Sequence, residues 1–205
     1  MAALSNGQTT IHNYLKSEDT SHMLQALKVL GVLFSTTENS IIIEGINQKF
    51  PTTEAKLFLG NAGTAFRPLT AVLSMMGGDY EIAGIARMHE RPIKDLVNAL
   101  YQIGAKINYL GVSGFPPLKI LPGDIKYYSP IKIKGSVSSQ FLTALLMACP
   151  LTNQNLIIEV DGDLISKPYI DITLKLLDRY GIHYKNSNWQ SFELSHEYCY
   201  KSPGE

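Results

Sequence analysis

In Glu18-Asp19-Thr20-Ser21-His22-Met23-Leu24-Gln25-Ala26-Leu27-Lys28-Val29-Leu30-Gly31 the apolar side chains fall at 23, 24, 27 and 30. That is the period of an amphipathic helix, and the glycine supplies its stop. The motif returns twice, from Arg91-Pro92-Ile93-Lys94-Asp95-Leu96-Val97 to Ile103-Gly104 and from Lys167-Pro168-Tyr169-Ile170-Asp171 to Tyr180-Gly181. Proline suits the first helical turn in both. The stop glycines lie 73 and 77 residues apart, so the repeated unit is large, near the size of a domain motif.

Beyond each glycine the period changes to short β-branched and aromatic runs around a polar turn. Examples are Val32-Leu33-Phe34 then Ile41-Ile42-Ile43, and Ile182-His183-Tyr184 then Phe192-Glu193-Leu194; these predict hairpins. A second helix also repeats, because Leu69-Thr70-Ala71-Val72-Leu73 answers Leu142-Thr143-Ala144-Leu145-Leu146. A strand follows each, Tyr80-Glu81-Ile82-Ala83 or Leu156-Ile157-Ile158-Glu159-Val160. One unit reads strand, helix, strand, helix, strand, strand, and the copies occupy roughly residues 1–50, 51–123 and 124–205 of a single α/β domain. Sliding the repeat back places Ala2-Ala3-Leu4-Ser5 on Ala71-Val72-Leu73-Ser74. The first copy is therefore expected to lack its opening strand and the start of that helix, as in a chain taken from a longer protein. Divergence of a terminal repeat is the alternative.

Of the 205 residues 45% are hydrophobic, and 18 basic residues balance 18 acidic ones. A balanced chain has no long-range field for a phosphate backbone or an anionic bilayer, which argues against nucleic acid and membrane as partners. Phe141 to Leu151, the most apolar run, is well short of the roughly 20 residues that span a bilayer. Two cysteines, Cys149 and Cys199, are too few for a disulfide framework or a clustered metal site, and a reducing cytoplasm is the expected home. The histidines show no metal-ligand spacing, so neither metal nor cofactor is expected. Nucleotide-binding glycine loops and a serine-hydrolase elbow are absent from the sequence.

Helix N-termini favour anions and repel cations, because unpaired amides and the positive end of the macrodipole meet there. Here Arg67-Pro68, Arg91-Pro92 and Lys167-Pro168 put a cation beside a proline at or near a predicted helix start. A bound anion that satisfies both the amides and the basic side chains would resolve the conflict. Gly63 would admit a phosphate close to the backbone, while Ser138, Ser139 and Ser166 would offer hydroxyl donors. Gln140, at the repeat position of Arg67, would suit a neutral oxygen. Asn61, Thr64 and Lys167 stand at the same helix starts. Plain helix capping is the competing explanation for the hydroxyls, and Tyr169 would pack under a ligand ring or fill a core gap.

The stretch Leu57-Phe58-Leu59-Gly60-Asn61-Ala62-Gly63-Thr64-Ala65-Phe66-Arg67-Pro68-Leu69 closely resembles the signature of the 5-enolpyruvylshikimate-3-phosphate (EPSP) synthase family. Met88 to Ile93, Gly135 to Leu146 and Gly162 to Ile172 agree with it, so the resemblance covers essentially the whole chain. It implies an inside-out α/β prism of three βαβαββ units forming one of two domains, with substrates in the cleft between them. It implies a transferase of aromatic amino-acid biosynthesis, the glyphosate target, that uses shikimate 3-phosphate and phosphoenolpyruvate. On this resemblance Ser138, Ser139 and Ser166 hold shikimate 3-phosphate, Gln140 meets both substrates and Tyr169 packs on the shikimate ring. Arg91 and the Gly63 amide bind phosphoenolpyruvate, and Thr64 and Pro68 tune glyphosate sensitivity through Gly63. The catalytic acid and base are expected in the second domain, so this chain alone would be inactive. A UDP-amino-sugar enolpyruvyl transferase and a non-catalytic anion-binding module are the alternatives.

Overall fold

A computed structural model describes all residues, Met1–Glu205. Eleven strands form three sheets. In the second unit β4 (Glu54–Phe58), α2 (Gly63–Met75), β5 (Asp79–Ala83), a short α3 (Ala86–His89), α4 (Lys94–Tyr101), β6 (Lys106–Tyr109) and β7 (Leu118–Leu121) follow one another. The third unit runs β8 (Ile131–Lys134), α5 (Ser139–Ala148), β9 (Leu156–Asp161), α6 (Lys167–Arg179), β10 (Tyr184–Ser187) and β11 (Ser191–Leu194). Their sheets have the same order, β4-β5-β7-β6 and β8-β9-β11-β10. The first two strands of each are parallel, with Leu57 beside Ile82 and Ile133 beside Val160, and the rest are antiparallel. Strands such as Ile131-Lys132-Ile133-Lys134 alternate buried and exposed, the mark of a sheet with one wet face.

The helices α2 and α5 line the inside. Nearly every residue of α2 from Ala65 to Ser74 is buried, as are Phe141, Leu142, Ala144, Leu145, Leu146 and Ala148 of α5. A helix buried all round needs its polar groups paired. Thr70 Oγ1 donates to the Phe66 carbonyl at 2.8 Å and Ser74 Oγ to that of Thr70 at 2.7 Å. By contrast, α4 and α6 are amphipathic and bury one stripe each, Leu96, Val97, Ala99 and Leu100 in one, Ile170, Thr173, Leu174 and Leu177 in the other.

The hairpin strands begin two residues later than their sequence suggests, at Phe34 and Tyr184. Each stop glycine takes a left-handed conformation (φ +87° at Gly31, +86° at Gly104, +78° at Gly181). The next residue's amide then closes the helix: Val32 donates to Leu27, Ala105 to Leu100 and Ile182 to Leu177 at 2.9, 3.2 and 2.9 Å. The residue after the glycine is thus spent on a Schellman cap before the strand starts. Two proline expectations are corrected. Pro92 precedes α4, whose N-cap is Ile93, and Pro68 sits inside α2. Pro168 does occupy the first turn of α6.

The first unit is the shortest, with a single 3₁₀ turn (Ala2–Leu4), β1 (Gln8–His12), α1 (Glu18–Val29), β2 (Phe34–Thr36) and β3 (Ser40–Glu44). Its sheet order, β1-β3-β2, omits the parallel strand that flanks β5 and β9. The far end of the chain takes that place. Residues 200–204, which the sequence groups with the third unit, run parallel to β1. The Asn6 amide donates to Tyr200 O and that of Ser202 to Asn6 O, both at 2.9 Å, and the Thr10 amide donates to Gly204 O at 2.8 Å. The three sheets surround one continuous core. None of the helices is long and apolar enough to cross a membrane.

Candidate functional site

Each parallel strand pair delivers two chain segments to the same edge of its sheet, and helices start there. The loops are tied together: the Ile85 amide donates to the Gly60 carbonyl at 3.0 Å, and Ile165 to Gly135 at 3.1 Å. Side chains also join the helices at matching heights. Thr64 Oγ1 at the start of α2 donates to Asp19 Oδ2 in the first turn of α1 at 2.5 Å. The hydroxyls of Thr143 in α5 and Thr173 in α6 are 3.0 Å apart. Lys134, leading toward α5, reaches Asp95 in the first turn of α4 at 4.0 Å. The starts of α1, α2, α4, α5 and α6 therefore open at one end of the molecule, as several positive dipole ends facing the same way.

Asn61, Gly63, Thr64, Arg67 and Arg91 come together there. Arg91 Nη1 donates to the Asn61 carbonyl at 2.9 Å. A Cβ placed on Gly63 would lie 2.6 Å from Arg91 Nη2 and 2.7 Å from Arg67 Nη1, so both guanidinium groups lie against its backbone. Arg67 is not at the helix start but in the second turn of α2, and it is only 3% exposed. Its Nη1 reaches the Met88 sulfur at 3.6 Å, and its Nε has no partner. Burial, followed by repulsion from Arg91, lowers its pKa to about 10. Neither arginine is paired with a carboxylate. Two neighbouring cations with no carboxylate between them are costly unless an anion joins them.

The third unit brings its own group to this end. Ser138 is the N-cap of α5, its hydroxyl accepting the Gln140 amide at 3.2 Å, and Ser139 opens the helix. Plain capping therefore accounts for part of what Ser138 does. Ser166 is different: it precedes α6 in the left-handed region (φ 57°, ψ 36°), and its side chain caps nothing. A serine held there is strained, and such strain gathers at functional positions. A close approach of Gly135 to the Asp163 carbonyl brings this loop against the start of α5. Lys167 and Tyr169 are exposed on the first turn of α6, Tyr169 at 68%, so the tyrosine fills no core gap and its ring is open to a ligand. Gln140 is half-buried.

Two contributors escape sequence reasoning. Asp19 reads as an ordinary first-turn carboxylate, and only the fold carries it to Thr64. Met88 reads as core, and only burial of Arg67 makes its sulfur that guanidinium's neighbour. The loops into these helices also expose Phe58, Ile85, Val137 and Ile165, an apolar fringe on an otherwise polar rim.

Comparison with known proteins places the chain in a family. The family model described as EPSP synthase (3-phosphoshikimate 1-carboxyvinyltransferase) matches residues 1–195. Proteins named 3-phosphoshikimate 1-carboxyvinyltransferase from Bordetella bronchiseptica and Cellvibrio japonicus are 53% and 54% identical over the whole chain, which covers 47% and 48% of their lengths. The chain thus spans about half the length of these curated relatives. Among solved structures, EPSP synthase from Acinetobacter baumannii shares the fold (TM-score 0.80, 24% identity, 95% of this chain and 42% of that one). The enolpyruvyl transferase NikO from Streptomyces tendae is a more distant likeness (TM-score 0.63, 11% identity, 98% and 46%). Matched in sequence over nearly all its length and in fold by a solved member, the chain belongs to the EPSP synthase family.

Proposed function

We propose that this chain is the shikimate-3-phosphate-binding half of a two-domain 3-phosphoshikimate 1-carboxyvinyltransferase. The complete enzyme moves the enolpyruvyl group of phosphoenolpyruvate to the 5-hydroxyl of shikimate 3-phosphate through a tetrahedral adduct, releasing phosphate by carbon–oxygen cleavage. The observation that carries the reading is the Arg67–Arg91 pair against Gly63, two guanidinium groups without a carboxylate at the mouth of converging helix starts. In this reading Arg91 and the Gly63 amide hold the carboxylate and phosphate of phosphoenolpyruvate. Arg67 supplies positive potential from behind, and Asn61 fixes Arg91. Ser138, Ser139 and Ser166 take the phosphate of shikimate 3-phosphate, Lys167 adds charge beside it, Gln140 lies between the substrates and Tyr169 covers the ring. Thr64, anchored by Asp19, sets the position of the first turn of α2.

Both substrates are multiply anionic, and holding them together requires dipoles and cations fixed in advance. The acid and base come from the other half, and closure of the two halves excludes water. The apolar fringe of Phe58, Ile85, Val137 and Ile165 would face that half. The protein is read as cytoplasmic, with neither cofactor nor metal.

The test is a titration of this chain with shikimate 3-phosphate followed by amide shifts. Ser138, Ser139 and Ser166 should move and Arg91 should move less. Serine amides that stay still at millimolar ligand in a folded sample would remove the assignment. A second prediction concerns Gly63→Ala in the reassembled two-domain enzyme. The methyl group would press on the guanidinium of Arg91, which can give way, and on that of the buried Arg67, which cannot, so the helix-propensity gain of about 0.5–1 kcal/mol is offset and stability should stay within about 1 kcal/mol of the parent. The KM for phosphoenolpyruvate should rise about tenfold or more, with that for shikimate 3-phosphate little changed. Equal rises for both substrates would place Gly63 elsewhere in the mechanism.

A further inference from the structure

Met88, in the short helix α3, joins the two arginines of the site. Its side chain is fully buried. The main-chain carbonyl of Met88 accepts the Arg91 amide at 3.1 Å, and its sulfur accepts Nη1 of Arg67 at 3.6 Å. The bond to sulfur is the only one that the Arg67 guanidinium makes, and its Nε is buried without a partner. Arg91, by contrast, is held by oxygen: Nη1 donates to the Asn61 carbonyl at 2.9 Å and to its side chain at 3.4 Å. The base of the Met88 side chain lies against Gly84, where an added Cβ would be 2.8 Å from Met88 Cβ and 3.0 Å from Cγ. Glycine at 84 therefore admits the methionine at this close range.

Three kinds of neighbour can face a buried guanidinium. A carboxylate holds it most tightly, but it also cancels the charge that an incoming anion needs. A hydrocarbon leaves one more N–H of a buried cation unpaired, which favours any conformation that carries the head away. A thioether is polarisable, uncharged and a weak acceptor. It directs the head and leaves its positive potential intact. We propose that Met88 is a positioning residue for the anion: its sulfur fixes the Arg67 head behind Gly63 and Arg91 without neutralising it. The proposal rests on the reading given above, in which Arg67 lends positive potential to the phosphoenolpyruvate subsite. The state of Arg67 agrees. Burial and then repulsion from Arg91 lower its pKa to about 10, as expected of a head with no carboxylate beside it.

The test uses the reassembled two-domain enzyme and reads kcat and the two KM values separately, with Tm as the check on folding. Met88→Leu keeps the size and apolar character of the side chain and removes the acceptor. The KM for phosphoenolpyruvate should rise about three- to tenfold, while kcat and the KM for shikimate 3-phosphate stay within about twofold, the pattern of lost binding to one substrate. Met88→Gln offers a neutral oxygen at similar reach and should bring the KM for phosphoenolpyruvate back to within about twofold of the parent. Should that variant fail to fold, Met88→Leu decides. Arg67→Gln separates the proposal from the reading on which it rests. A rise of about tenfold or more in Arg67→Gln, with no change in Met88→Leu, would overturn the proposal and leave the site reading standing. An unchanged KM for phosphoenolpyruvate in Arg67→Gln would overturn both. Equal rises of the two KM values in Met88→Leu, not restored by glutamine, would make Met88 a packing residue and end the proposal.

Discussion

In an enzyme reassembled from this chain and its complementary half, Arg91→Ala should lower kcat/KM for phosphoenolpyruvate by about 10²–10³-fold. Losing one preorganised cation from a dry anion site costs about 3–4 kcal/mol in the transition state. The loss here is compounded because Arg67, buried beside it and without a carboxylate partner, cannot swing out to replace it. Arg91→Lys should recover little, since a point charge reproduces neither the bond to Asn61 nor a bidentate contact with phosphate. Arg87→Ala is the control: Arg87 is exposed and paired with Glu90 at 2.5 Å, and its loss should leave turnover within twofold. Steady-state kinetics at saturating shikimate 3-phosphate decide the matter, and wild-type kcat/KM in Arg91→Ala would remove the arginine from the site.

Deleting residues 200–205 should cost stability of the same order, about 4 kcal/mol or more by urea unfolding, out of the 5–15 kcal/mol typical of a domain. The segment runs beside the first sheet, bonded to residues 6 and 10 through backbone hydrogen bonds, and it anchors through Tyr200. That side chain is 0% exposed, and its hydroxyl donates to the Met147 carbonyl at 2.7 Å at the end of α5. Tyr200→Ala alone should account for about 3–5 kcal/mol, as for other large aromatic truncations in a core. Tyr200→Phe, which strands the Met147 carbonyl, should cost about 1 kcal/mol. Lys201→Ala, an exposed side chain on the same strand, should stay within about 0.5 kcal/mol. An unfolding midpoint unchanged by the deletion would mean that the pairing with β1 contributes nothing to stability.

The two predictions differ in how far they could be read without the structure. Arg91 stands out in the sequence because a cation at a helix start conflicts with the local dipole. Tyr200 does not stand out, since nothing local to Tyr198-Cys199-Tyr200-Lys201 indicates that it lies beside residues almost 200 positions away.

Legible in the residues alone are the three-unit plan, the order of elements within a unit, the glycine stops, the helix starts with Gly63, Ser138 and Ser166, and Arg91 just ahead of α4. These follow from periodicity, capping and backbone conformation, which act over a few residues and repeat with the unit. It takes packing across the molecule to bury Arg67 inside α2, bring Asp19 to Thr64, hold Ser166 in a strained conformation and lay the chain's last residues beside its first sheet. Those outcomes depend on which distant segments meet, and contact at that range is set by the packing of the whole core rather than by any local preference.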